Sequence, residues 1–256
     1  MFSIKDKVTL VTGGGSGIGL AIVKRFMAAG ARVAFCTRSD KSAIAQELGA
    51  AFIQADVSDG QQVVKLMQQV HDQLGPIEVL VNNAGTWDFD CPIETGDSEA
   101  FRRNFDLNVM GTLYCIRYGA RLMKDGGVII NICSLAAQIG MAGYGAYNTS
   151  KAGQSALTRT AAIELGNRGI RVVDICPGTV ATENIDSEAG SAVEAAMFSR
   201  LTPLNRICEM EEVAATVHFL AADDCRFITG TSILLDGGMR AGVSMGLGEL
   251  LLQGVE

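Results

Sequence analysis

The first thirty residues constrain the fold of this 256-residue chain most strongly, because a strand pattern there runs directly into a glycine-rich turn and a helix pattern. Residues 8–12 are apolar and rich in β-branched side chains, residues 13–19 contain five glycines, and residues 20–29 have a helical pattern. Glycines lack the Cβ atoms that block close approach, and a helix N-terminus offers unpaired N–H groups and a partial positive charge. The segment therefore predicts a strand–turn–helix unit that binds a phosphate-containing ligand.

The rest of the chain continues this alternation of short apolar runs and longer helical stretches. No linker, repeat or low-complexity tract interrupts it, so we expect a single α/β domain over residues 1–256, with a lid at about 183–206 and a C-terminal tail at about 239–256. The expected fold is a Rossmann-type doubly wound domain with a seven-stranded parallel sheet flanked by helices. The predicted strands lie near residues 8–12, 32–36, 51–55, 78–82, 127–132, 171–176 and 232–235.

The composition argues against several classes of protein. A net charge of −7 disfavours nucleic acid and anionic membranes as main partners, because both require a basic surface. The N-terminus lacks the apolar centre of a signal peptide, and no apolar run approaches the ~18 residues that span a bilayer, so we expect a cytoplasmic location. Seven scattered cysteines suit reduced, buried thiols, and we expect no metal site around the two histidines, His71 and His218.

Three further residues indicate acid–base chemistry. Tyr147 and Lys151 lie four residues apart, and therefore on one face of a helix, and Ser134 precedes Tyr147 by thirteen residues. A phenol has a pKa near ~10, so Tyr147 would need a neighbouring positive charge, here Lys151, to ionise near neutral pH. Ser134 would hold a substrate oxygen. The pattern Tyr-x-x-x-Lys is short, however, and taken alone it more often describes an ordinary surface pair on a helix.

Taken together, the glycine turn and these three residues resemble the classical short-chain dehydrogenase/reductase family. The family's glycine motif, Thr-Gly-x-x-x-Gly-Ile-Gly, matches residues 12–19, whose spacing differs from the Gly-x-Gly-x-x-Gly of the standard dinucleotide fingerprint. The resemblance extends from about residue 7 to residue 238. Cys133 departs from it, because many members of the family carry a serine there.

The resemblance implies an oxidoreductase that transfers a hydride between a nicotinamide cofactor and a carbonyl compound or secondary alcohol. Its catalytic residues would be Asn108, Ser134, Tyr147 and Lys151. Tyr147 would exchange a proton with the substrate oxygen, and Ser134 would hydrogen-bond that oxygen. Lys151 would lower the pKa of Tyr147 and hold the nicotinamide ribose. Asn108 would hold a water that connects Lys151 to solvent, or alternatively would only bond to nearby backbone.

The resemblance also implies which residues bind the cofactor. Most of them follow the carboxyl ends of predicted strands, which is the edge where open α/β sheets bind ligands. Among them, Asp56 and Val57 would contact the adenine ring. Besides Tyr147 and Lys151, the expected set is Gly13, Gly15, Ser16, Gly17, Ile18, Gly19, Thr37, Arg38, Asp56, Val57, Asn83, Ala84, Gly85, Pro177, Gly178, Val180 and Thr182.

Residues at the end of the second predicted strand indicate which cofactor is used. An NAD-selective site places an acidic side chain about 20 residues after the glycines, but Thr37 stands there and Arg38 follows it. Because a guanidinium pairs well with phosphate, we expect NADP(H), with NAD(H) as the alternative if Arg38 faces solvent. Asp40 comes later, and we expect it to cap the next helix.

The sequence defines the substrate and the assembly less closely. Trp87, Gln138 and Tyr144, together with Ser134, are candidate contacts for a small alcohol or ketone, and 3-oxoacyl thioesters, polyols and cyclic ketones all stay open. Small residues after Tyr147 and the apolar tail indicate a homotetramer, although the small residues could also pack within one subunit. Two functions compete with the main one: a 3-oxoacyl-carrier-protein-type reductase, and a dinucleotide-binding regulator without catalysis.

Overall fold

Seven parallel strands form one sheet, in the order β3 (Ala51–Gln54), β2 (Arg32–Thr37), β1 (Val8–Thr12), β4 (Ile77–Asn82), β5 (Met123–Ile132), β6 (Arg171–Pro177) and β9 (Ser232–Leu235). They are seen in a computed structural model that describes residues 1–88, 91–182, 189–242, 244–246 and 248, with only the backbone described at 189–194. The chain moves outward from β1 to β3, returns to place β4 beside β1, and then moves outward on the other side. This order confirms the predicted doubly wound sheet.

The strands lie close to their predicted positions. β5 is the exception, because it begins four residues early, at Met123, through an exposed stretch that shifts its register against β4. A short parallel pair, β7 and β8, lies apart from the main sheet and was not predicted. The bounds are β1 Val8–Thr12, β2 Arg32–Thr37, β3 Ala51–Gln54, β4 Ile77–Asn82, β5 Met123–Ile132, β6 Arg171–Pro177, β7 Val180–Ala181, β8 Cys208–Glu209 and β9 Ser232–Leu235.

Helices occupy the segments between the strands, as the sequence predicts. Asn108 lies in a continuous helical stretch that consists of α4 (Ser98–Asn104), a π-helical segment (Phe105–Gly111) and α5 (Thr112–Leu122). The α-helices are α1 Gly17–Ala28, α2 Ser42–Leu48, α3 Gly60–Leu74, α4 Ser98–Asn104, α5 Thr112–Leu122, α6 Gly145–Leu165, α7 Ala189–Leu201 and α8 Met210–Ala221.

Alternate residues of the strands point to opposite faces of the sheet and bury two separate cores. On one face, strand residues such as Val11 and Phe35 pack with apolar side chains of α1 and α8. On the other face, Leu10 and Leu80 pack with apolar side chains of α3, α5 and α6. Because all seven strands run in parallel, the turns that follow them meet at one edge of the sheet.

The small residues that follow Tyr147 occupy two environments. Ala161 and Ala162 are buried in the core of their own subunit, whereas Ala152 and Ala156 are exposed. Residues 183–188 of the predicted lid lie outside the described residues, as do positions 243, 247 and 249–256 of the predicted tail. In the described part of the chain, no helix combines the length and apolarity needed to cross a bilayer.

Candidate active site

A cleft of about 510 Å³ opens at the carboxyl edge of the sheet. It extends from the glycine turn after β1 to Tyr147 and Lys151 on α6, so the fold brings together motifs that are far apart in sequence. The predicted site residues that line it are Gly13, Ser16, Gly17, Ile18, Gly19, Thr37, Arg38, Asp56, Val57, Asn83, Ala84, Gly85, Trp87, Tyr147, Lys151 and Thr182.

The glycine turn is built to admit an anionic group. A Cβ atom on Gly19 would lie 2.1 Å from the carbonyl oxygen of Gly13, so only glycine fits there. Ser16 caps α1 through its backbone without a side-chain hydrogen bond, and the first turn of α1 has no acidic residue. Unpaired N–H groups and the positive end of the helix dipole therefore suit the pyrophosphate of a dinucleotide.

Asn83 holds this turn in place. Its Nδ2 donates to the carbonyl oxygens of Thr12 at 3.1 Å and Gly13 at 3.2 Å, and its backbone N–H donates to Oγ1 of Thr12 at 3.0 Å. The turn after β4 is thereby fixed to the turn after β1, and both border the cleft.

The end of β2 brings positive charge to the cleft. Arg38 and Lys41 both line it, and the side chain of Lys41 lies so close to Gly15 that a Cβ there would be 2.7 Å from Cγ of Lys41. Thr37 donates its hydroxyl hydrogen to the carbonyl oxygen of Ser39 at 2.6 Å. Asp40 accepts from the N–H of Ser42 at 2.9 Å, which confirms the predicted cap at the start of α2. This hydrogen bond lowers the pKa of Asp40.

Tyr147 and Ser134 meet at the other end of the cleft. Tyr147 lies in the first turn of α6, and Ser134 lies two residues after the end of β5. Ser134 is close enough to Tyr147 to lower the pKa of its hydroxyl group. Oγ of Ser134 also accepts from the N–H of Ala136 at 3.1 Å, which fixes the hydroxyl group in position. The two residues are thus placed to contact one substrate oxygen.

Lys151 lies next to Tyr147, and its ammonium group is hydrogen-bonded to other residues. The side chain is buried, and Nζ donates to the carbonyl oxygen of Ile132 and to Oε1 of Gln154, both at 3.0 Å. Nζ lies 5.8 Å from the centre of the Tyr147 ring.

The pKa values of these two groups follow burial. Although Tyr147 keeps some exposed surface, burial raises the pKa of its hydroxyl group to about 12, and the interaction with Ser134 opposes this rise only in part. Burial also lowers the pKa of Lys151. Burial therefore dominates the pKa of Tyr147, and the lowering of this pKa by Lys151 stays a prediction.

Asn108 occupies the π-helical segment and is completely buried. Its side chain donates to the carbonyl oxygen of Thr86 at 2.8 Å and to Oγ of Ser150 at 2.9 Å, and it accepts from the N–H of Thr86 at 2.9 Å. Its side chain thus bonds to the backbone of Thr86, which is distant in sequence, and to the side chain of Ser150. Its backbone carbonyl oxygen accepts from Oγ1 of Thr112 at 2.8 Å.

Several other predicted residues lie beside the cleft rather than in its lining. Gly178 lines a second cleft of about 70 Å³, Pro177 ends β6 and Val180 begins β7. Of the substrate candidates, Trp87 lines the main cleft and is 46 % exposed, and Tyr144 lies next to the start of α6 near Tyr147. Gln138 donates to Oγ of Ser232 at 3.5 Å.

Sequence reasoning missed three features of this region. Lys41 was overlooked because it lies beyond the usual selectivity position, and Gln154 because its polar side chain sits on a helix face expected to pack. A buried cluster of Cys133, Asp174 and Cys176 lies behind Ser134, and its sulfur and carboxylate atoms are within 4.8 Å of one another. The two cysteines are far apart in sequence, so no spacing rule could have paired them.

The sheet order and the glycine turn define the chain as a dinucleotide-binding α/β protein. Residues 13–240 match a family model described as Enoyl-(Acyl carrier protein) reductase. A short-chain type dehydrogenase/reductase from Mycobacterium ulcerans has a solved structure with a TM-score of 0.88 and 35% identity, and the match covers 94% of this chain and 92% of that one.

Curated relatives agree with this result. Meso-2,3-butanediol dehydrogenase of Serratia marcescens is 36% identical over 242 residues, covering 92% of this chain and 95% of the relative. A 2,5-dichloro-2,5-cyclohexadiene-1,4-diol dehydrogenase of Sphingobium indicum is 34% identical over 252 residues, covering 94% of this chain and all of the relative. The chain belongs to the short-chain dehydrogenase/reductase family and is an oxidoreductase that acts on CH–OH groups.

Proposed function

We propose that the protein transfers a hydride between a nicotinamide cofactor and a secondary alcohol or its ketone. The preferred cofactor is NADP(H) rather than NAD(H). The site is formed by Asn108, Ser134, Tyr147 and Lys151. The observation that carries this proposal is that Tyr147 and Lys151 line the far end of the cleft that begins at the glycine turn, with Ser134 close enough to Tyr147 to lower its pKa. A proton donor, an oxygen-binding hydroxyl and a dinucleotide-shaped cleft thus adjoin one another.

The chain's own groups perform the proton chemistry. When bound, the nicotinamide supplies or accepts the hydride. In the reducing direction, Tyr147 gives its proton to the substrate oxygen, while the hydroxyl of Ser134 donates a hydrogen bond to the same oxygen and stabilises its developing negative charge. Since the pKa of Tyr147 is raised to about 12, its proton is in place at neutral pH.

Lys151 provides positive charge beside this proton donor. Its ammonium group is held between Ile132 and Gln154, and it borders the cleft where the ribose next to the nicotinamide would lie. After Tyr147 has given up its proton, the ammonium of Lys151 stabilises the phenolate electrostatically. The backbone carbonyl oxygen of Asn108 connects to Lys151 through Thr112 and Gln154, so Asn108 fixes the surroundings of Lys151.

The charge at the end of β2 supports a preference for NADP(H). Arg38 and Lys41 both line the cleft, and among the residues described there no carboxylate follows β2 directly. Asp40, the first acidic residue after β2, is held by its hydrogen bond to the start of α2. A 2′-phosphate at the end of β2 would therefore meet two cations.

The relatives narrow the substrate class. Two of them are named as diol dehydrogenases, which supports a small or cyclic secondary alcohol for this chain. A screen of NAD(P)H formation and consumption across diols, polyols, cyclic ketones and 3-oxoacyl thioesters tests the proposal. Turnover with one of the first three classes is the expected result. Turnover confined to thioesters would favour an acyl-carrier-type reductase, and cofactor binding without any turnover would favour a regulator.

We also propose a homotetramer in the cytoplasm. Phe105 and Ile163 are 48 % and 83 % exposed, and they lie on the helical segments that the family uses for contact between subunits. Such apolar exposure commonly marks a contact. Light scattering of the purified protein should give four times the chain mass, and a monomer of full activity would contradict this proposal.

A further inference from the structure

A cluster of four buried side chains lies directly behind Ser134 and is not used in the chemistry above. Oγ of Ser155 donates to Oδ2 of Asp174 at 2.9 Å and lies 3.5 Å from Sγ of Cys133. Sγ of Cys176 donates to Oδ1 of Asp174 at 3.4 Å. The cluster therefore places two thiols beside one carboxylate.

The sheet brings these two thiols side by side. β5 and β6 pair in parallel register up to Ile132 and Ile175, so Cys133 and Cys176 are the next neighbours on adjacent strands. The hydrogen bond from the N–H of Cys133 to the carbonyl oxygen of Ile175, at 2.8 Å, keeps the strands paired at this point. Neighbouring strands lie about 4.8 Å apart, which falls within the Cα separations of disulfides. The backbone therefore needs little movement to join the two sulfur atoms.

Cys133 can be reached by a small reagent and is the more easily ionised thiol. Although it is only 4 % exposed, it lines the main cleft. The proximity of Cys176 and the charge of Lys151 outweigh burial and lower the pKa of Cys133. Thiolates, not thiols, react with peroxides.

Cys176 has the opposite properties. It is completely buried, and its contact with Cys133, together with burial, raises its pKa. It would not ionise unaided, but Asp174 lies within hydrogen-bonding distance and can accept its proton. The pair therefore consists of one thiol poised to react first and one that follows with the help of a base.

We propose that Cys133 is a peroxide-reactive thiol, that Cys176 is its resolving partner, and that oxidation joins them in a reversible disulfide. The thiolate of Cys133 attacks one oxygen of hydrogen peroxide, an S–O bond forms as the O–O bond breaks, and the departing hydroxide takes up the thiol proton as water. The sulfur of Cys176 then attacks that of Cys133 while its proton passes to Asp174. The S–S bond forms, and hydroxide leaves and recovers that proton as a second water.

This bond would act on the active site through adjacent residues. Cys133 precedes Ser134, and its Sγ donates to the carbonyl oxygen of Lys151 at 3.2 Å. A disulfide removes this thiol hydrogen and pulls Cys133 towards β6. We therefore expect oxidation to misplace Ser134 relative to Tyr147 and to reduce turnover until a dithiol reductant restores it.

Mass spectrometry of the full-length protein tests the proposal without depending on its activity. The reduced protein is treated with a few equivalents of hydrogen peroxide in buffer with a chelator, free thiols are alkylated, and the peptides are mapped. The expected product is a linked peptide pair containing Cys133 and Cys176, which dithiothreitol separates. With Cys176→Ser, Cys133 should instead accumulate as a sulfenic acid that dimedone traps. Asp174→Asn should slow disulfide formation more than sulfenic acid formation.

Cys208 provides the matched control, because it is only half-buried and outside this cluster. In Cys208→Ser the disulfide should form at the unchanged rate. If peroxide oxidises Cys208 in the wild-type protein while Cys133 and Cys176 stay reduced, the proposal is wrong. The same holds if Cys133 is oxidised but no linked pair appears. Both outcomes are read from the wild-type protein and so do not depend on whether a variant folds.

Discussion

The ammonium group of Lys151 donates a hydrogen bond to Oε1 of Gln154 at 3.0 Å, and both side chains are buried. Nε2 of Gln154 donates to Oγ1 of Thr112 at 2.9 Å, and that hydroxyl donates to the carbonyl oxygen of Asn108 at 2.8 Å. Three successive hydrogen bonds thus connect Lys151 with Asn108. Because every donor in this series has an acceptor, the position of Lys151 depends on Gln154.

Replacement of Gln154 by leucine tests this dependence. Gln154→Leu keeps a similar volume but removes both side-chain hydrogen bonds, which are worth roughly 1.5–3 kcal/mol when one partner is charged. We expect kcat to fall by about 10-fold or more, with a changed pH profile, since Lys151 loses a neutral acceptor. Gln68→Leu on the exposed face of α3 should leave both unchanged. A normal kcat and pH profile in Gln154→Leu would show that Ile132 alone positions Lys151.

Tyr147 is expected to be the proton donor. Tyr147→Phe removes only the hydroxyl group, so folding and cofactor binding should persist while turnover falls by roughly 10² or more. Tyr118→Phe on α5 is the control, because Tyr118 packs against Tyr114 away from the cleft. Initial rates measure the loss of turnover, and cofactor fluorescence shows whether cofactor binding persists. Retention of most turnover in Tyr147→Phe would exclude the assigned mechanism.

The ionisation of Tyr147 provides a separate test. Because its pKa in the protein alone is raised to about 12, which is above its ordinary value, the hydroxyl should stay protonated throughout the range from pH 6 to pH 10. The tyrosinate absorbance of the wild type minus that of Tyr147→Phe should therefore be flat over this range. A step centred between pH 6 and pH 9 would mean that Lys151 controls the ionisation after all.

These tests concern side-chain contacts that could not be predicted from the sequence. The strands and a helix cap, in contrast, could be predicted from local sequence patterns. The strands were predictable because apolar runs such as Val8–Thr12 and Ile77–Asn82 are buried on both faces of a parallel sheet, which requires continuous hydrophobicity. The helix cap at Asp40 was predictable for a similarly local reason, since its partner, Ser42, is two residues away.

The contacts that were missed all join residues distant in sequence or depend on exact side-chain direction. Gln154 meets Thr112 across two helices, and Cys133 meets Cys176 across two strands. The hydrogen-bond partners of Lys151 were not predictable either, because i and i+4 spacing places two residues on one face of a helix without fixing the contacts of their polar ends. Here Nζ donates to the carbonyl oxygen of Ile132 and to Oε1 of Gln154.

The close packing around Gly19 in the glycine turn leads to a further prediction. A Cβ atom at Gly19 would lie 2.1 Å from the carbonyl oxygen of Gly13, so Gly19→Ala must displace the turn. We expect cofactor affinity to fall by about 10-fold or more and stability to fall by roughly 1–3 kcal/mol. Gly166→Ala is the matched control, because Gly166 has a φ of −60° and open space around it. Isothermal calorimetry and thermal unfolding measure both effects, and a neutral Gly19→Ala would contradict the tight packing of this turn.

Cofactor selectivity is the most discriminating prediction. With Arg38 and Lys41 in the cleft and Thr37 in place of an acidic residue, kcat/KM should favour NADPH over NADH by about 10-fold or more, because a charge-assisted contact with phosphate is worth roughly 1.5–3 kcal/mol. Lys41→Ala should reduce kcat/KM for NADPH and leave that for NADH nearly unchanged. Arg32→Ala, at the exposed start of β2 and far from its carboxyl end, should change neither value.

A double substitution that should invert the cofactor preference completes this test. Thr37→Asp combined with Arg38→Ile adds an acceptor for the ribose 2′-hydroxyl and removes a cation, so the preference should invert towards NADH. Raising the salt concentration should weaken NADPH binding to the wild type more than NADH binding, since the 2′-phosphate contacts are charged and border solvent. Equal kcat/KM values for the two cofactors in the wild type, or a preference for NADH, would show that Arg38 and Lys41 do not contact the cofactor.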